Sequence, residues 1–119
     1  MVTDTAKALQ RLWKDSLTVT EYKKVPTPNG ATGFEETVVL EGRPCKLSFV
    51  TLKSAGQADA AAPLAQIIKI FTDKDVEIKP GSKITVMRGE HAFDFIQSGL
   101  PGVFSYHQEI YLAPFRGWA

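Results

Sequence analysis

Ser105, His107 and Glu109 alternate along a stretch that reads as extended chain, so a serine, an imidazole and a carboxylate project from one face. Those three types are the parts of a nucleophile–base–orienter relay. The spacing argues against one. Side chains two apart on a strand sit roughly 7 Å from each other, beyond the reach a nucleophile needs to its base. The expectation is a polar stripe facing solvent or a neighbouring subunit. His91, His107 and Cys45 are the strong nitrogen and sulfur donors, and they fall in three separate segments without ligand spacing. Glu35–Glu36 and Asp73/Asp75 read as solvated acids. Gly81 and Gly89 sit in turns, and no glycine run opens a helix to cradle a phosphate. The expectation is therefore no catalytic residue, no metal and no cofactor.

The elements that carry these residues are short and mostly extended. Ala6, Leu9, Leu12 and Trp13 recur at spacings of three and four, which predicts a helix over residues 1–16. Leu17-Thr18-Val19-Thr20-Glu21-Tyr22-Lys23 alternates and reads as a strand. Pro26, Pro28, Asn29, Gly30 and Gly33 make a turn. Residues 34–40 and 45–52 suggest a hairpin around Glu41-Gly42-Arg43-Pro44, with Cys45, Leu47 and Phe49 on one face. Residues 54–63 lack large apolar side chains, so they read as a long mobile loop, with a short alanine-rich helix as the alternative.

Ile67, Ile68 and Ile70 mark a buried strand. Residues 76–86 read as strand, Pro80-Gly81 turn, strand. A short strand at 92–96, a break at 98–102 and an alternating run at 103–112 complete the pattern. About seven short strands behind one helix predict a mainly β protein, a small antiparallel β-barrel or sandwich. The whole chain, 1–119, forms one domain: helix 1–16, barrel 17–112 with its loop at 54–63, and a C-terminal arm at 113–119. The expected core holds Leu47, Phe49, Ile67 or Ile68, Ile84, Val86, Phe93 or Phe95, and Ile110, and most of the aromatic residues are expected in it.

Composition narrows the partners. The 119 residues are 44% apolar and 23% charged, with 14 basic and 13 acidic side chains and a net charge of +1. No segment concentrates lysine or arginine, so the positive footprint of a nucleic-acid binder is missing. The first sixteen residues carry charges throughout and form neither a signal peptide nor a membrane span. Cys45, the single cysteine, reads as a small core residue and cannot form an internal disulfide.

Three runs carry a resemblance: Pro44-Cys45-Lys46-Leu47-Ser48-Phe49, the run from Val76 to Val86, and Ser98-Gly99-Leu100-Pro101-Gly102-Val103-Phe104 with Tyr106-His107-Gln108-Glu109-Ile110. With the closing Phe115-Arg116-Gly117-Trp118-Ala119, they resemble the minor capsid proteins encoded by phages and prophages of Gram-positive bacteria. Residues 18–33 match more loosely. Phe104-Ser105-Tyr106 is bulkier than the pattern, and Ala113-Pro114 replaces a helix-compatible acidic stretch.

The resemblance implies a virion component, held in the host bacterial cytoplasm before assembly. It implies a head-closure or neck subunit, ringed between the portal or adaptor and a tail-side neck or terminator protein. Membrane contact is not implied, and nucleic acid enters only through proximity to the packaged genome. Candidate subunit and partner contacts are Trp13, then Ser54, Gly56, Asp59 and Pro63 in the loop, then Phe115, Arg116 and Trp118. The aromatic pair at the end either reaches a neighbour or folds back on its own barrel. A solitary barrel binding a ligand or single-stranded nucleic acid is the alternative reading.

Overall fold

The structure, a computed structural model, describes residues 5, 7–8, 11–53 and 64–118. Seven strands follow one another: β1 (Asp15–Pro26), β2 (Thr32–Lys53), β3 (Leu64–Thr72), β4 (Lys83–Arg88), β5 (His91–Gln97), β6 (Gly102–Val103) and β7 (Gln108–Pro114). Every pairing is antiparallel. The order β3-β2-β1-β4-β5-β7 returns to β3 through a β3–β7 pairing, so the strands run in a closed circuit, and β6 pairs only with β7. The mainly β, antiparallel expectation therefore holds.

The alternation read from the sequence builds the core. Leu17 and Val19, Cys45 and Leu47, Ile84 and Val86, and Ile110 and Leu112 are four pairs two residues apart. With Ile70 and Phe95 they form one buried cluster. Period two puts both members of each pair on the inner face. Thr72 is buried on the same side as Ile70, and its hydroxyl donates to the Pro44 carbonyl at 3.0 Å.

Several expectations need correction. No hairpin turns at Glu41-Gly42-Arg43-Pro44: β2 runs straight through it as one strand of 22 residues. Its first part pairs with β1 and its second, from Cys45, with β3. Three steps along β1, from Leu17 to Thr20, face five along β2, from Arg43 to Val38. The surplus is taken up in a bulge that includes Gly42 at φ +67°. Glycine reaches that left-handed region at little cost, and proline is tolerated at bulges, so the residues that resemble a turn instead bend a strand.

Residues 76–82 form no strand. Val76 is nevertheless buried and Ile78 packs against the core, so this apolar alternation plugs the sheet without joining it. The run at 103–112 is split into β6 and β7 around residues 104–107. Phe49, expected in the core, is 40% exposed. Tyr22, Phe34, Phe104, Tyr106 and Tyr111 are exposed too, so aliphatic side chains fill the interior and half of the aromatics lie outside it.

At the N-terminus, residues 5, 7 and 8 are helical and the Arg11 amide donates to the Lys7 carbonyl at 3.2 Å. Residues 11–14 of the predicted helix are turn and irregular chain, so Leu12 and Trp13 are not helical; residues 1–4, 6, 9 and 10 lie outside the described residues. Asp15 and Ser16 already belong to β1. The predicted loop at 54–63 also lies outside the described residues. Among the described residues, no helix is long and apolar enough to cross a membrane.

Two stretches of paired strand overrun the circuit. β1 touches β4 only over Ser16–Thr20, so beyond Thr20 it forms with β2 a two-stranded ribbon ending at the Thr27–Ala31 turn. At another corner β3 touches β7 only over Ile68–Thr72, leaving the far part of β2 and the start of β3 as a second ribbon. The chain is accordingly elongated, 62 × 44 × 28 Å. Its radius of gyration is 17.4 Å, against about 13.5 Å for a compact domain of this length.

Candidate functional site

The C-terminal residues gather at the base of the first ribbon. Pro114 closes β7, as expected of a residue without an amide proton. The next amide, Phe115, donates to the Asp94 carbonyl at 3.1 Å. Gly117 then takes a φ of +107°. Trp118 comes back onto Tyr22 with ring centroids 4.8 Å apart and planes within 6°. Tyr22 stacks in turn on Phe34 at 5.1 Å, and Phe115 meets Trp118 edge-on at 5.0 Å. Of the two placements open for the segment, the structure has it lying against its own strands.

Charge completes this brace. The indole Nε1 of Trp118 donates to Glu36 Oε1 at 2.9 Å, and Lys83 Nζ reaches the same oxygen at 3.1 Å. The Trp118 hydrogen bond, followed by that of Lys83, holds the Glu36 carboxyl below the usual carboxylate range. Lys83 Nζ also lies 5.5 and 5.8 Å from the ring centroids of Phe115 and Trp118, within cation–π range. An open cleft of about 440 Å³ adjoins this ladder of rings, Phe34, Tyr22, Trp118 and Phe115, with Glu21, Tyr22, Phe34, Lys79, Pro80 and Trp118 among its lining residues. Arg116 is exposed.

The polar stripe of Ser105, His107 and Glu109 is rearranged. His107 lies just before β7, and its Nε2 sits 3.3 Å from Glu109 Oε2, much closer than strand spacing predicts. Its ring stacks on Phe104 at 4.9 Å and tilts toward Phe71 at 5.8 Å. The other Glu109 oxygen takes Lys69 Nζ at 2.7 Å. The Lys69 hydrogen bond, aided by His107 and opposed by burial, keeps the Glu109 carboxyl low. Ser105 enters through its backbone carbonyl, which accepts from Lys74 Nζ at 3.1 Å. The cluster ties β3, β7 and the preceding turn together.

Trp13, a candidate subunit or partner contact, is 7% exposed in the single chain. It lines a cavity of about 210 Å³ with Leu12, Lys46, Phe71 and His107. Ser54, Gly56, Asp59 and Pro63 lie outside the described residues. Among the described residues, no group of three or more His, Cys, Asp or Glu is placed to hold a metal ion. Cys45 is fully buried, and burial, with a smaller push from Asp15, raises its thiol to about 12. Such a thiol is a poor nucleophile at neutral pH.

Two features escaped the sequence reading. One is the ladder, whose signal was the placing of Tyr22 and Phe34 on the two sides of the 27–31 turn. The other is an ion pair between Asp15 and Arg88, at the ends of distant segments.

No family model matches the chain, and no curated protein matches it. Among solved structures, the chain is similar to the phage-like element PBSX protein xkdH from Bacillus subtilis. The two share 10% identity and a TM-score of 0.48, over 86% of this chain and 92% of that one.

Proposed function

We propose that the chain is a structural virion protein of a tailed phage or prophage, a ring subunit at the head–tail junction. It would sit between a portal or adaptor ring and a tail-side neck protein, and it would work by making contacts. The observation that carries this reading is the pair of ribbons extending past the closed sheet. A two-stranded ribbon is marginal alone in water. Keeping the first one ordered takes the Trp118–Tyr22–Phe34 brace, an outlay that makes sense for a limb that must meet a neighbour in a fixed pose. The resemblance of the Pro44–Phe49, Val76–Val86 and Ser98–Ile110 runs to phage minor capsid proteins supplies the setting.

Co-expression with the portal protein of the same phage tests this directly. Size-exclusion chromatography with light scattering should show the chain comigrating with portal rings at a fixed stoichiometry. Absence from both the portal complex and purified particles overturns the reading.

The aromatic cleft favours a second reading, a binder of single-stranded nucleic acid through Tyr22, Phe34 and Trp118 with Lys79 and Lys83 beside them. Stacked rings of this kind are the usual platform for bases. Here, however, the rings stack on each other. A salt-sensitive gel shift that Phe34→Ala abolishes is the result that would favour it.

A further inference from the structure

The first ribbon, with the stretch of β2 that runs on from it beside Leu17–Thr20, has two edges without a strand partner among the described residues. One is β1 over residues 21–26, the other β2 over residues 32–43. The β2 edge reads Glu35-Glu36-Thr37-Val38-Val39-Leu40-Glu41. Val38 and Val39 are neighbours, so on a regular strand they point to opposite faces. They are nevertheless 53% and 42% exposed. Beside the bulge, β2 therefore keeps both valines exposed along an open edge, although Leu40 on the Val38 face packs against the core.

An uninterrupted β-branched run on an open edge is a template for another strand. Guarding charges, where they protect an edge, fall within such a run. Here they stand outside it, at Glu35, Glu36 and Glu41.

We infer that this β2 edge pairs with the β1 edge of a second copy of the chain, so that copies join head to tail. The inference rests on the ring-subunit reading and names its subunit contact. Charge selects the occupant. Two β2 edges pairing antiparallel about Val38 would set Glu35 of each opposite Glu41 of the other, and like charges directly opposite are unfavourable. The β1 edge instead offers the exposed Lys23 and Lys24. Its run ends at Pro26, which has no amide proton to donate. A contact between two different edges repeats in one direction, giving a ring if the rotation closes and a filament if it does not.

Charge reversal tests the pairing without touching the ion pairs inside the ribbon. Across the ribbon Lys24 faces Phe34, and Glu41 has no Cα partner on β1, so Lys24→Glu and Glu41→Lys leave the hairpin's own charge pairs in place. Sedimentation velocity is run on the free chain and on the chain bound to portal complex, so assembly confined to the portal is also seen. Each single variant should weaken self-association by roughly tenfold or more, the equivalent of about 1.4 kcal/mol. The double variant should restore it, and so should an equimolar mixture of the two singles.

Three results overturn the pairing. Dimers that form more strongly with Glu41→Lys alone would mean that two β2 edges meet. Rings unaffected by either variant would place the contact elsewhere and leave the ring reading standing. A chain that binds portal yet never contacts a second copy would remove the pairing and keep the virion role.

Discussion

Arg88 grips Asp15 with two nitrogens, Nε 3.1 Å from Oδ1 and Nη2 3.0 Å from Oδ2, across 73 residues of sequence. The Leu47 amide donates to Asp15 Oδ2 at 2.8 Å, and the Leu47 carbonyl accepts from Arg88. One carboxylate thus pins β1, β2 and β4 at a single point. Burial of Asp15 works to raise its pKa. The hydrogen bonds from Arg88 and Leu47 outweigh that and hold it below the ordinary value of 3.8.

A carboxyl lowered in the folded state contributes stability that is fully present above its unfolded pKa. The contribution is lost as pH falls through the folded pKa. Asp15→Asn should therefore cost about 1–3 kcal/mol at neutral pH, mainly by leaving Arg88 and the Leu47 amide poorly partnered. The deficit relative to the parent should shrink below pH 3.8. Urea midpoints across that range read it, and a deficit independent of pH would contradict the assignment.

Ile84 and Phe49 separate interior from surface. Ile84 is fully buried in the core cluster, so Ile84→Ala should cost about 2–5 kcal/mol. Phe49 is half-exposed and meets Phe93 edge-on at 6.0 Å. Phe49→Ala should cost well under half as much, seen as a smaller drop in thermal midpoint.

Gly42 carries the bend of β2. At φ +67° a side chain is strained although open space surrounds the position. Gly42→Val should lose about 1–2 kcal/mol from backbone conformation alone. Gly42→Asn should lose less, because asparagine visits that region more readily. Equal losses in chemical denaturation would show that the bulge relaxes.

Trp118 holds the brace by stacking and by one hydrogen bond, and the two are separable. Trp118→Phe keeps a ring over Tyr22 and gives up only the Nε1 bond to the exposed Glu36, so it should lose less than the alanine variant. Trp118→Ala removes both and should lose about 2 kcal/mol. Hydrogen exchange should also quicken in residues 21–25 and 33–37. A Trp118→Ala protein with an unchanged melting temperature and unchanged exchange would show that the segment is not part of the fold.

The alternation of small pairs was legible: Leu17/Val19, Cys45/Leu47, Ile84/Val86 and Ile110/Leu112 all face the interior as period two requires. The end of β7 at Pro114 was legible for the same kind of local reason. What misled was local chemistry with two uses. Glu41-Gly42-Arg43-Pro44 suits a turn, and equally a bulge where a strand changes partners. Val76 and Ile78 alternate like a strand but only plug one. The Asp15–Arg88 pair and the Trp118–Tyr22 stack join segments far apart in sequence, where periodicity carries no signal.

The β3–β7 pairing that completes the circuit has a consequence for the order of events at the ribosome. β3 waits through three further strands before its second neighbour exists. Until residues 108–114 have been synthesised, Ile68 and Ile70 must stand beside an open edge. Joining edges so distant in sequence is slow, because the entropy of a long loop is spent before any contact repays it. Rapid translation at high concentration would then favour pairing between unfinished chains. A lag between release of the full chain and protease resistance, longest for substitutions in β7, is the kinetic trace this topology should leave.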